Sequence, residues 1–158
     1  MLLYLSIPLL IAASTPTTSP VGPHTAATAC AVVTKADVVQ AMGFAIERGE
    51  GQGDESASTC DYSKSQGMVS VTVQRLTKKM NLETEIAALK ASIPDSSVRE
   101  AGGLGKRAFF LDIPGAGTQL YVIHGDAGFL MVSVLGFGEA HDVSPAAEAL
   151  ARKALTRL

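Results

Sequence analysis

Tryptophan is absent from the 158 residues, and the other aromatics amount to five Phe and three Tyr. That scarcity argues against a sugar- or base-stacking platform, which needs several exposed rings. Strong charge is missing too. Thirteen Lys and Arg stand against 15 Asp and Glu, a formal net charge of -2. A phosphate-backbone binder needs a basic face and usually shows it in bulk charge, so no nucleic-acid partner is expected. Fifteen Gly and seven Pro follow no period, which excludes a collagen-like or low-complexity chain. Cysteine is scarce, at two residues. What remains is 47% hydrophobic, enough for one ordinary core, and the length fits one domain.

Residues 1–34 carry no Asp, Glu, Lys or Arg; every formal charge lies from Lys35 onward. The apolar run from Leu2 to Ala13 has the length of a signal-peptide core. It is too short for a membrane-spanning helix, which needs about 20 residues. Pro8 interrupts it, and the stretch from Ser14 to Pro20 is polar and turn-rich. Small residues mark two candidate cleavage sites, Ala12 with Ser14 and Ala27 with Ala29. No basic residue precedes the run, a departure from the usual signal peptide. The expectation is still export, to a periplasmic or extracellular location. Residues 1–29 then form a signal peptide and a Thr/Ser/Pro-rich leader, and residues 30–158 a single domain with no transmembrane helix in the mature form. Lipidation of Cys30 is not expected, because Ala27 stands where an acylation box has Leu and about 16 residues separate the cysteine from the apolar run.

In an exported protein the pair Cys30 and Cys60 reads as a disulfide. It would close a loop of about 30 residues, a stabilisation of about 3 kcal/mol in the chain-entropy account. A metal or redox pair fits less well: there is no CxxC, and no His lies a few residues from either cysteine.

Thr34 to Met42 reads as a short helix, with Thr34 as N-cap, Asp37 three residues on and Gly43 as the stop. Residues 47–58 are polar and Gly-rich and read as a loop. Thr59–Ser63 and Met68–Leu76 read as a hairpin, the second strand alternating Val69, Val71 and Val73 with Ser70, Thr72 and Gln74. Asn81 caps a helix to about Ser92, whose apolar stripe is Leu82, Ile86, Leu89 and Ile93. Lys106–Ile113, Thr118–His124 and Phe129–Leu135 read as strands. The last is apolar on both faces and therefore central or helix-covered. A final helix begins at Ser144 with Pro145 at its first position, and turns Leu150, Ala151, Ala154, Leu155 and Leu158 inward. The expected fold is α+β: an antiparallel sheet of about five strands with helices packed on it, in the order α-β-β-α-β-β-β-α.

Chemistry is sparse. Gly102–Arg107 suggests a phosphate loop but has Arg107 after the lysine, where Ser or Thr should hold magnesium, and a strand rather than a helix follows. A glycine turn is the better reading. His124 with Asp126 at a hairpin tip, and His141 with Asp142, each offer two groups without a third. Asp54 and Glu55, and Glu83 with Glu85, read as surface charge. No GxSxG elbow or HExxH helix is present. No catalytic residue, metal ligand or cofactor is assigned. By geometry alone, the polar row Ser70, Thr72 and Gln74, with Tyr62 and Tyr121 on nearby strands, could open to a ligand or partner; the binding assignment is Ser70, Thr72, Gln74 and Tyr121.

The segment from Cys30 to Gly43, the later Cys60-Asp61-Tyr62, and the Gly103-Leu104-Gly105 turn entering a strand at Ala108 and Phe109 resemble a group of small exported bacterial proteins of unknown function. That group has actinobacterial lipoprotein relatives. Its element order is similar to the PsbP-like αβα sandwich, a binding or assembly module, by analogy of fold alone. The resemblance spans most of residues 30–158 and supplies no catalytic residues. The functional expectation is a non-enzymatic binding or accessory domain whose partner is a protein or a small apolar ligand. Two alternatives stand beside it: an immunity or inhibitor protein against a secreted toxin or hydrolase, and a small hydrolase using His124, Asp126 or His141.

Overall fold

The computed structural model describes residues 28–54 and 56–158. The leader up to residue 27, with its apolar run and its earlier cleavage pair, lies outside the described residues. Among them, no helix is long and apolar enough to cross a membrane.

The chain opens with one helical turn, α1 (Ala29–Val32), followed by α2 (Lys35–Met42). Helix α2 starts where its cap dictates. Thr34 Oγ1 accepts from the Asp37 amide, and Asp37 returns a bond to the Thr34 amide, a reciprocal capping box. It stops at Gly43, whose φ of 74° is the left-handed conformation that a residue with Cβ resists. Then come β1 (Glu47–Gly53), β2 (Ala57–Lys64), β3 (Gly67–Arg75), α3 (Leu82–Ser92), β4 (Ser97–Glu100), β5 (Arg107–Ile113), β6 (Gly117–His124), β7 (Gly128–Leu135) and α4 (Ala140–Leu155).

All seven strands form one antiparallel sheet in the order β1-β2-β3-β7-β6-β5-β4. The expected five strands are all present, with β7 central between β3 and β6. The two additional strands are the edges. Residues 47–58, expected as a loop, supply β1, which pairs with β2 through a bulge between Arg48 and Gly51. Asp54 then ties the turn, accepting from the amides of Ser56 and Ala57. Edge strands need one hydrogen-bonded neighbour and no apolar row, so polar, Gly-rich sequence forms them without a hydrophobic signal. Gly51 has a second role: a Cβ there would meet Cys30 Sγ at 2.8 Å.

Period-two alternation splits the sheet into two cores. One face, with Tyr62, Val69, Val71, Phe110, Leu120, Val122, Leu130, Val132 and Val134, packs against α1, α2 and α4. The other, with Phe109, Leu111, Tyr121 and Phe129, packs against the Leu82, Ile86, Leu89 and Ile93 stripe of α3. Helix α4 begins a turn earlier than expected, at Ala140, which places Pro145 inside it. Ser144 Oγ donates to the Ala140 carbonyl at 2.5 Å there. Leu150, Ala151 and Ala154 are buried as expected, whereas Leu158 lies beyond the helix and is 43% exposed.

Candidate functional site

Cys30 and Cys60 form the expected disulfide, with S–S 2.02 Å and Cα–Cα 5.1 Å. The reason Tyr62 follows two residues later is visible alongside it. Alternation puts Cys60 and Tyr62 on the same face of β2, and the Tyr62 hydroxyl donates to the Val33 carbonyl. Both side chains are fully buried and hold the same N-terminal segment. Tyr62 is therefore on the opposite face of the sheet from Ser70 and Thr72, which corrects the expectation that the two tyrosines flank one polar surface.

Ser70, Thr72, Gln74 and Tyr121 do share a face, the one that carries α3. Strand register lines up Asp61, Ser70, Ser133 and Gln119 across β2, β3, β7 and β6. Ser70 Oγ donates to Asp61 Oδ1 at 2.7 Å. One row along, the hydroxyls of Thr59 and Thr72 are bonded at 2.9 Å. Gln74 is exposed at the end of β3. Helix α3 packs over Phe109, Leu111 and Tyr121, so it covers the β5–β6 side. The polar β2–β3 side carries no helix of its own.

Tyr121 belongs to the covered side. It is 6% exposed, stacked on Phe109 with ring centroids 4.8 Å apart, and tilted against Phe129 at 6.0 Å. Its hydroxyl donates to Gln119 Oε1 at 2.8 Å. Burial, with the nearby Glu85 carboxylate adding, pushes the phenol up to about 12. At neutral pH it is a fixed neutral donor that links the buried rings to the polar row.

The groups of the hydrolase alternative are not brought together. His124 closes the far end of β6, and the β6–β7 turn packs on its ring, Gly128 having no room for a Cβ. Its Nε2 is buried with no hydrogen-bond partner, and desolvation lowers its pKa. Asp126 is exposed and meets Lys106 at 3.3 Å. His141 sits near the start of α4, beside Asp142 at 3.1 Å. That helix end is anchored at the other end of β6, where Glu139 accepts from the Gly115 amide. The seven steps of β6 put about 24 Å between the two ends of the strand at ~3.4 Å per residue. No group of three or more His, Cys, Asp or Glu able to hold a metal occurs among the described residues.

Two side-chain clusters escaped the sequence reading because they join distant elements. Arg99 of β4 forks onto Asp112 at 2.6 and 3.3 Å, donates to Ser144 Oγ, and lies 3.8 Å over the Phe110 ring. Thr118 Oγ1 donates to the same carboxylate at 2.6 Å. At the other end of α4, Arg157 donates to Asp37 at 2.5 and 3.2 Å and to the Val32 carbonyl at 2.9 Å. That guanidinium, helped by the Thr34 bonds, holds the Asp37 carboxyl well below the usual carboxylate range. Both clusters are saturated internally; the first fastens α4 to the sheet, and the second fastens the end of α4 to α1 and α2.

No protein family, curated protein or solved structure matches the chain.

Proposed function

We propose that this chain is an exported, disulfide-tied binding or accessory domain of the bacterial envelope or exterior, engaging a protein partner on the polar β2–β3 face beside α3. One observation supports the reading above the others: the face is divided. Its β5–β6 side is covered by α3, while on its β2–β3 side Thr59, Asp61 and Thr72 are partly exposed, Gln74 is exposed, and buried Ser70 bonds Asp61 from beneath. Internal hydrogen bonds hold those side chains in fixed rotamers, which lowers the entropy cost of docking on them. The disulfide and the absence of a membrane-length helix among the described residues are compatible with export. Ala29 bears on the cleavage site. It is 1% exposed and its amide donates to Ser58 Oγ at 2.6 Å, so cleavage after Ala29 would remove a buried residue of the fold, which favours the Ala12–Ser14 site.

Native mass spectrometry of the protein recovered from its own cell envelope tests the proposal. The expected result is a mass with the leader removed, two thiol protons missing and a partner bound. Thr72→Arg with Gln74→Arg should release that partner while leaving circular dichroism unchanged. Retention of the partner by the double variant would refute the face assignment. A free monomer with an intact leader would refute the proposal as a whole.

A further inference from the structure

The described basic side chains divide into two groups. Lys35, Arg99, Lys106, Arg107, Arg152, Lys153 and Arg157 each meet a carboxylate, and Lys64 lies over the Phe44 ring. The rest are Arg75, Lys78, Lys79 and Lys90, none of which has a carboxylate within 4.0 Å among the described residues. Three of these four line a single cavity of about 390 Å³ at the junction of β3 and α3. Leu76 and Met80 supply its apolar lining and Thr77 a hydroxyl, and Glu85 is the carboxylate on its wall. The lining is therefore net cationic in a chain whose overall charge is -2.

The segment is anchored at both ends. The Arg75 amide donates to the Ser56 carbonyl at 2.8 Å, and the Leu76 amide to the Ala127 carbonyl at 2.7 Å. Asn81 is fixed as the cap of α3, its Oδ1 accepting from the Thr84 amide at 3.1 Å. The Thr84 amide at the start of α3 is thus already served, and the cations are the main attraction for a ligand. Like charges gathered on a short anchored segment repel one another unless a counter-charge is supplied. Three cationic residues and Thr77 around one cavity suit a multiply charged oxyanion better than a single carboxylate. The volume falls in the range of small-molecule sites.

We propose that this cavity is a binding site for a phosphate group, carried either by a soluble ligand or by a lipid headgroup. It is distinct from the polar row at Ser70 and Thr72 and meets it only at Gln74. Its test is independent of whether that row binds a partner.

Two probes distinguish the sources: inorganic pyrophosphate in calorimetry, and vesicles of phosphatidylglycerol in phosphatidylcholine in co-sedimentation. The wild-type chain should bind at least one probe at low salt and lose it as screening shortens the reach of exposed charge. Pyrophosphate alone identifies a soluble phosphate ligand; vesicles alone identify a headgroup. The variant Arg75→Gln, Lys78→Gln, Lys79→Gln should weaken the binding about 100-fold, at about fivefold per cation. Lys90→Gln, which removes the unpaired cation outside the cavity, should leave it unchanged. Binding of neither probe, or an equal loss from Lys90→Gln, overturns the proposal. Circular dichroism of both variants confirms that the fold is retained.

Discussion

Removal of the Arg157 guanidinium should cost more than most single changes in this chain, and the cost should depend on pH in a definite direction. The Asp37 side chain is 10% exposed and that of Arg157 35%. Asp37 also accepts from the Thr34 amide at 2.9 Å and the Thr34 hydroxyl at 2.7 Å. Breaking a fully buried pair costs about 3–5 kcal/mol. The part of the guanidinium in solvent is screened, and Thr34 continues to serve the carboxylate. Arg157→Ala should therefore cost about 2–3 kcal/mol, a drop in Tm of roughly 6–12 °C for a domain of this size. Asp37→Asn should cost a similar amount at pH 7. Arg157 hydrogen bonds are the main cause of the depressed Asp37 pKa, so the folded chain favours the ionised form. The stabilisation is complete above the unfolded value of about 3.9 and declines by about 1.4 kcal/mol for each pH unit below it. The gap between wild type and Asp37→Asn should then close by about 2 kcal/mol between pH 4 and pH 2.5. Urea unfolding at a series of pH values measures it. A gap that stays constant across that range, or a cost below about 0.5 kcal/mol for Arg157→Ala, would refute the reasoning.

Three further predictions rest on other parts of the molecule. Cys30→Ala with Cys60→Ala should lower stability by about 3 kcal/mol, the value for a loop of this length, and reduction of the wild type should give the same unfolding midpoint as the double variant. Tyr62→Phe leaves the Val33 carbonyl without its donor and should cost about 1–2 kcal/mol in chemical denaturation; a neutral result would show that packing alone holds the segment. His124 is buried enough to resist protonation, so the unfolded chain takes up its proton first. Stability should fall as pH drops below about 6.5, and His124→Gln should flatten that slope; an unchanged slope in the variant would assign it to other groups.

Strong periodicity was readable wherever a segment buries one face. The Val69, Val71 and Val73 alternation, the α3 stripe and the doubly apolar β7 all predicted their elements and the side each turns inward. The Thr34 to Asp37 capping box fixed the start of α2 to the residue. Edges were not readable. Strand β1 is built from Glu, Arg, Gly and Gln, and β4 has only Val98 turned toward the α3 core. Such strands are held by main-chain bonds to a neighbour, and no side-chain pattern records that. The start of α4 was misplaced for a different reason. Pro145 suits a first helical position, but the helix accommodates it a turn further in. Among the candidate site residues, alternation grouped Ser70, Thr72 and Gln74 correctly. It could not tell that Tyr121 lies under α3 while Ser70 does not, because that depends on which strands a helix crosses. Nor could it reveal the cavity at Arg75, Lys78 and Lys79, which depends on how a connecting segment is held at both ends.

The ties on the opposite face explain why binding is proposed on the α3 face. A helix of four residues such as α1 is not stable alone, since nucleation outweighs the few bonds it makes. Here the segment from Cys30 to Asp37 is gripped from two directions. Cys60 and Tyr62 reach it from β2, and Arg157 reaches the Val32 carbonyl and Asp37 from the end of α4. Between those anchors Val32, Val33 and Val38 are fully buried. Releasing the segment would expose all three at about 25 cal/mol per Å² of apolar surface, in addition to breaking the covalent and ionic links. That face is a closed structural layer. The α3 face is closed only where apolar residues demand it, and its polar β2–β3 side is satisfied by hydrogen bonds between its own side chains. A partner that docks there exchanges water for protein contacts without disturbing the core, and the sheet beneath it is already held rigid from behind.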